Sequence, residues 1–474
     1  MNHRTGLDRS QTLLFPERLE DYVAAENPVR FLDVFVGSLD LHALSFTKAR
    51  CANTGCPPYD PAALLKLYLY GYLHRVRSSR MLEAECHRNV EVIWLLGKLA
   101  PDFKTIADFR KDNLKPLKAV AREFTLLCRK LELFGGELLA VDGSKFAAVN
   151  ARDQNFNADK LQNLIARADA RLAEYLQQLD TADAAQPGTA TLTKTELAAK
   201  IATLQEKQDW HKELLGQLDD EQKQISVTDP DTRKMPTAHG TLVGYNAQIA
   251  VDAKHKLIAA EDVTNEVNDL QQLANVALEA KANLELTRTE VIADAGYYNA
   301  SEVNRCVEHG ITTFIPKSDT SANSARGLYG KSRFKYDATK DVYLCPAGDM
   351  LTYRFATIEL DRELKYYRAS NCKTCALKSR CTRNKANRTI TREANEHLME
   401  AMATRMQQQP EKFKLRKTLA EHPFGTIKRW FGYTHFLLKG LAKVQCEWSL
   451  TTLAYNLKRV LNLVSFEKLM AAVA

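Results

Sequence analysis

Two short stretches constrain this chain most, Leu138–Lys145 (LLAVDGSK) and Val291–Gly296 (VIADAG). Each is an apolar run that ends in aspartate, with a glycine within two residues. A short continuous apolar run closed by a turn signal reads as a buried strand. The pattern therefore predicts Asp142 and Asp294 at two strand ends, each held by a rigid element yet able to face solvent or a metal. Ligand sites in open α/β sheets lie outside the carboxyl ends of strands. The two aspartates share a site if their strands are adjacent and parallel, and the sequence alone leaves that open. A single aspartate at such a place is ordinarily a cap or a turn residue.

The segments around these stretches have different periods. Residues 1–130 read as short helices. Asp60-Pro61 supplies an N-cap and a first-turn proline. Ser78-Ser79 opens a second helix, and Thr105–Asp108 matches a capping box that opens a third. Basic residues lie between them (Arg75, Arg77, Arg80, Arg88, Lys104, Arg110, Lys111). They suit a helix-turn-helix-like DNA-binding head or a plain bundle with a solvated basic surface. After the first strand come two heptad-like patterns, Leu161–Leu179 and Leu197–Leu218, separated by Gln186-Pro-Gly188, with Thr193–Glu196 as a capping box. They predict an antiparallel helical hairpin with His211 on its seam. Tyr245–Val251 and Leu257–Val263 predict a β-hairpin with Asp252 at its turn. Helices over Asn268–Asn283 and Tyr297–His309 and a strand over Ile311–Ile315 follow. An amphipathic helix, Glu447–Val464, closes the chain.

Residues 317–410 break the pattern with Cys345, Cys372, Cys375 and Cys381. Four cysteines so close can supply a tetrahedral all-thiolate zinc site, or remain reduced, partly buried thiols. The start, MNHRTGLDRSQ, has no apolar region of a signal peptide. Ten cysteines without one argue for a reducing cytoplasm rather than a disulfide framework. A net charge of +8 permits a polyanionic partner without requiring one.

Glu421 is the third candidate carboxylate, on a helix rich in bases: Arg416, Lys417, Lys428 and Arg429. Such a glutamate is ordinarily a surface ion-pair partner, unless its helix packs beside the two strand ends. Hard carboxylates together bind Mg2+ or Mn2+, and two such ions can drive an in-line displacement at phosphorus. Arginine and lysine nearby can hold phosphate.

LLAVDGSK, VIADAGYYN and EHPFGTIKRWFGY resemble three blocks of the DDE transposases of bacterial insertion sequences. The arrangement Phe413–Arg416–Glu421–Lys428 is similar to the Tyr-Arg-Glu-Lys signature of one superfamily of them. Phe413 stands where that signature has tyrosine. Arg416 lies one residue further from Glu421, which leaves Lys417 as an alternative basic residue. LFPERLEDYV, ENPVRFLDVFV, YDPAALLKLYLYGYLHRVRSSRMLEAE and TIADFRKDN resemble an N-terminal domain found there.

The resemblance implies an α/β fold with an RNase H-like mixed sheet, interrupted by the helical hairpin and the Cys-rich insertion, behind an all-α head. The corresponding segments are a DNA-binding head (1–130), a core (131–152, 226–316 and 411–474), the hairpin (153–225) and the Cys-rich insertion (317–410). It also implies metal-dependent cleavage at transposon ends and strand transfer. Asp142, Asp294 and Glu421 would hold two Mg2+ or Mn2+ ions, with Arg416, Lys428 and Arg429 on DNA. Double-stranded DNA and a second copy in a synaptic dimer would be the partners, in a bacterial cytoplasm. The rival readings are an inactive DNA-binding relative, a nuclease without strand transfer, and a zinc-centred structural protein.

Overall fold

The structure is a computed structural model that describes residues 18–51, 57–150, 152–184, 194–218, 224–237, 240–317, 326–359 and 362–473. The chain begins with six helices: α1 (Pro28–Gly37), α2 (Pro61–Leu73), α3 (Ser79–Arg88), α4 (Val90–Leu95), α5 (Phe103–Asp112) and α6 (Leu114–Lys130). Asp60 caps α2 as its spacing predicts, its side chain accepting from the Ala62 N–H. The expected cap of α5 moves. Asp102, not Thr105, takes that place and accepts from the Lys104 and Thr105 N–H groups. A carboxylate three residues earlier satisfies the orphan donors of the first turn and lets the helix begin at Phe103.

The main sheet has six strands. They are β1 (Leu138–Ala147), β4 (Arg233–Thr237), β5 (Gly240–Asp252), β6 (Ile258–Thr264), β7 (Thr289–Ile292) and β8 (Ile311–Phe314). The short β2 (Asn155–Asn157) and β3 (Gln224–Ser226) pair with each other at the foot of the helical hairpin. β5 runs antiparallel to β1, and β4 and β6 share its other edge. On the opposite side of β1 lie β7 and then β8, both parallel. The crossovers to these parallel strands carry α9 (Leu273–Asn283) and α10 (Ala300–Glu308), as parallel neighbours require.

Two predicted helices start later than their patterns. α9 begins at Leu273, leaving Asn268–Gln272 as a turn with Asp269 turned to the sheet. α10 begins at Ala300 because Asn299 caps it, accepting from Ser301 N, and Tyr297 is buried below the sheet's edge. The hairpin consists of α7 (Ala158–Ala184) and α8 (Lys194–Gly216). Leu161, Ala168, Leu197, Gln208, His211 and Leu214 are buried along its seam. His211 packs at a tilt against the rings of Phe156 and Trp210. The Pro-Gly break and Thr193 lie outside the described residues. Asp252 is structural: buried, it accepts from the N–H groups of Gly135, Gly136 and Lys254.

The cysteine-bearing segment forms its own five-stranded antiparallel sheet. Its strands are β9 (Lys335–Asp337), β10 (Val342–Leu344), β11 (Met350–Glu359), β12 (Arg362–Arg368) and β13 (Thr389–Glu393). The short α11 (Lys378–Cys381) lies between β12 and β13. The chain then returns to the main sheet through α12 (Glu396–Gln408) and α13 (Pro410–Gly425).

It ends with α14 (Leu441–Leu463) and α15 (Phe466–Val473). The amphipathic expectation for α14 does not hold over its middle. Every residue from Cys446 to Leu457 is buried, because α14 lies between head helices α2 and α6 on one side and β6 on the other. One apolar core therefore runs from Phe31, Tyr68 and Phe124 in the head to Tyr245 and Ile249 in the sheet. The boundary near residue 130 separates kinds of element, not cores. Among the described residues no helix is long and apolar enough to cross a membrane.

A buried ion pair joins the two ends of the chain. Arg77 lies 3.1 Å from Glu447, which is fully buried and also accepts from the N–H groups of Leu437 and Leu438. Removing one partner of such a pair strands the other charge, at about 3–5 kcal/mol. Glu447→Ala should therefore lose stability on that scale in urea unfolding, and a loss under about 1 kcal/mol would refute the role.

Candidate active site

The register of β1 against β7 builds the site. Leu138, Leu139 and Ala140 pair with Glu290, Val291 and Ile292. Two residues beyond the last pair in each strand stand Asp142 and Asp294. The parallel ladder thus sets the two aspartates side by side, the arrangement that the sequence left open. One detail differs from expectation. β1 does not end at Asp142 but continues to Ala147 against β5, with Asp142 opposite Ile249. Only its pairing with β7 stops at Ala140, and this frees the Asp142 edge. Asp294 follows the end of β7 and accepts from the Gly296 N–H at 2.8 Å.

Arg416 of α13 reaches both. A guanidinium nitrogen lies 3.5 Å from Asp142 Oδ1 and 4.0 Å from Asp294 Oδ2. α13 is held there by Leu419 and Ala420, which pack with Ala140, Ile292 and Phe314. Burial pushes the Asp142 carboxyl up to about 7, Arg416 opposes the rise, and Asp294 and Asp269 add to it.

Asp269 is the carboxylate that sequence reading missed. Its Oδ1 accepts from Asn246 at 2.6 Å and Gln248 at 2.8 Å, with Lys145 at 3.5 Å. Gln248 in turn accepts from the buried Tyr297 hydroxyl. Of the two glycines beside the aspartates, Gly143 owes its place to this group and Gly296 to the Asp294 carboxylate itself. A Cβ on Gly143 would fall 2.3 Å from Gln248 Nε2 and 2.9 Å from Asp269 Oδ1. A Cβ on Gly296 would meet Asp294 Oδ1 at 2.9 Å and Asp269 Oδ2 at 3.7 Å. The signal available in sequence was the glycine in each stretch; for Gly143 the reason lies in a turn 126 residues further on.

The bases behave differently from one another. Pro423 lies inside α13, and after Gly425 the helix widens into a π-turn over Thr426–Trp430. Proline removes a helical N–H and crowds the preceding turn, and π-turns recur at functional sites. This turn sets Lys428 on β1, where its Nζ donates to Ser144 Oγ at 2.7 Å and the Lys145 carbonyl at 2.9 Å. Arg429 is exposed. Glu421 is also exposed, and among the described residues it makes no hydrogen bond or ion pair with either aspartate. Arg77 and Arg110 of the basic head are buried, on Glu447 and against Tyr68 and Tyr72. They are structural, not a DNA-facing surface.

A transposase DDE domain family matches residues 344–461, and a transposase domain family, DUF772, matches residues 17–112. Both matches are to transposase families, and together they indicate an insertion-sequence-type DDE transposase. The DDE-domain match takes in Glu421, Lys428 and all four clustered cysteines, while Asp142 and Asp294 lie outside it. Among curated proteins nothing matches this chain. A solved structure, the piggyBac transposase synaptic complex with hairpin DNA, is similar at 8% identity. That likeness has a TM-score of 0.32 and covers 94% of this chain and 79% of that one.

The raised Asp142 carboxyl has a stability consequence. Its folded value, about 7, exceeds its ordinary 3.8, so it favours folding below about pH 4 and loses that contribution as pH rises toward 7. Asp142→Asn removes the charge. Its melting temperature should exceed that of the parent by a margin that grows from pH 5 to pH 8, equivalent to on the order of 4 kcal/mol at the upper end. A margin that shrinks with pH would refute this account.

Proposed function

We propose that the transposase cuts DNA at transposon ends by metal-dependent phosphodiester hydrolysis and joins the freed 3′-OH to target DNA. The observation that carries this reading is the β1–β7 register, with Asp142 and Asp294 side by side under one guanidinium. The strand order supports an RNase H-like core: a central β1, an antiparallel hairpin on one side and two parallel strands on the other.

The donors fit hard divalent cations. Asp142, Asp294 and Asp269 bring three carboxylates to one place, with Arg416 the cation nearest the first two. Among the described residues no three such side chains are closed to coordination distance. Asp142 and Asp294 would hold the ions, and Glu421, the third member of the triad, would swing in from α13 to complete the set. Mg2+ or Mn2+ bound there supplies positive charge to the attacking and leaving oxygens at phosphorus.

The chain's own residues do the rest. β1 and β7 fix the spacing of the two aspartates. Asp269, held by Asn246 and Gln248, keeps Lys145 beside the site and adds negative potential. Lys428 braces β1 two residues beyond Asp142. Arg416, beside the two aspartates, would be available to a DNA phosphate, and exposed Arg429 would add a second phosphate contact. Two DNA ends require two active sites, which makes a dimer on double-stranded DNA the working form.

Asp294→Ala should abolish Mg2+-dependent cleavage of terminal-repeat DNA while leaving binding in a gel-shift assay intact. Glu421→Gln should do the same. Cleavage at the parent rate in Asp294→Ala would refute the shared site. A parent protein that binds but never cuts would favour the DNA-binding relative, and cutting without joined product would favour a nuclease. DNA affinity should also fall on the order of 10²- to 10³-fold between 50 and 200 mM salt, because phosphate contacts release counterions. A flat response would remove the phosphate roles of Arg416 and Arg429.

A further inference from the structure

The second sheet poses a separate question. Its buried apolar core is small: Phe334, Tyr343, Leu351, Tyr367, Ala369 and Ile390. Sheets with so little core are commonly stapled by disulfides or a metal. Four cysteines come to one place against this core, from three separate segments. Cys345 opens the turn between β10 and β11, which closes through Gly348 N–H to the Cys345 carbonyl at 2.9 Å, with Gly348 at φ +82°. Cys372 and Cys375 lie in the loop after β12, and Cys381 ends α11. All four are free and half-buried.

They line a single apolar cavity of about 20 Å³, room for one small ion or water and too little for a multi-metal cluster. Arg388 donates its backbone N–H to Cys372 Sγ at 3.3 Å, a contact that favours a thiolate. No histidine or carboxylate lines the cavity.

We propose that Cys345, Cys372, Cys375 and Cys381 form a structural tetrahedral zinc site that staples the second sheet. Soft sulfur donors with no oxygen ligand select zinc over magnesium. Among the described residues no such group is closed to coordination distance, so binding requires the four thiols to turn inward, which the open centre permits. Each thiol releases its proton to solvent as the sulfur–zinc bond forms, and no redox step occurs. The site is independent of the catalytic reading, since it touches none of the residues assigned there.

The test uses the full chain purified under reducing conditions. Elemental analysis should find about one zinc per chain, and Cys372→Ser should lose it while Cys306→Ser, outside the cluster, keeps it. If Cys372→Ser fails to fold, Co2+ exchanged into the parent protein should give the thiolate charge-transfer and intense d–d bands of a tetrahedral S4 site. Chelation should remove hydrogen-exchange protection from 326–393 and leave 138–147 protected. A zinc-free protein with four titratable thiols, even after zinc addition, would overturn the proposal. So would zinc retained in full by Cys372→Ser, or two disulfides or stoichiometric iron in place of zinc.

Discussion

The parallel pairing of β1 with β7 is the constraint on which this structure depends. Three residue pairs, Leu138–Glu290 to Ala140–Ile292, decide where two aspartates 152 residues apart in sequence come to rest. A one-residue slip would turn one aspartate to the opposite face of the sheet. The register is secured by burial on both faces. Leu139, Val141, Val291 and Ala293 pack under α9 and α10, while Ala140 and Ile292 pack under α13. The helix that fixes the strands from above is also the one that delivers Arg416.

Placing two carboxylates together where two parallel strands part opposes stability, and the surroundings show how this is managed. Arg416 shares its charge between them. Asp269 is not left uncompensated: Asn246, Gln248 and Lys145 all turn toward it. Glycine at 143 leaves room for that group, since any side chain there would collide with Gln248. The residual cost remains visible in Asp142, whose carboxyl resists ionising up to about pH 7. Strain of this kind gathers where a fold keeps a reactive group in place, and the packed sheet below supplies the rigidity that tolerates it.

The chain meets this demand despite two long interruptions. The helical hairpin enters after β1, and the second sheet enters after β8, each closed around its own apolar cluster. Neither needs the main core, so neither disturbs it. The last helices instead complete that core. α14 fills the space between head and sheet, and the Glu447–Arg77 pair ties it to the segment after α2. Asn456 joins helix to strand, accepting from Ile258 N–H at 2.9 Å and donating to its carbonyl at 2.8 Å. Elements far apart in sequence therefore share one interior, and the head is part of the body that carries the site.

Much was legible in the amino-acid sequence because it is written in local patterns. Apolar runs announced β1 and β7, heptad spacing announced the hairpin, and Asp60-Pro61 announced α2. Even the neutral parts of Asp252 and His211 followed from their immediate neighbours. What the sequence could not carry was anything set by distant partners. Asp269 read as helix, yet its bonds from Asn246 and Gln248 hold it in a turn. α14 read as amphipathic because its second apolar partner, the head, begins more than 300 residues earlier. That the Lys428 amine meets Ser144 on β1 was likewise set by the π-turn and by a partner 284 residues away. Sequence by itself determined the elements, since secondary structure follows local periodicity and capping. Only the tertiary structure decided which charges meet, because electrostatic partnership falls off with distance in space and is indifferent to separation along the chain.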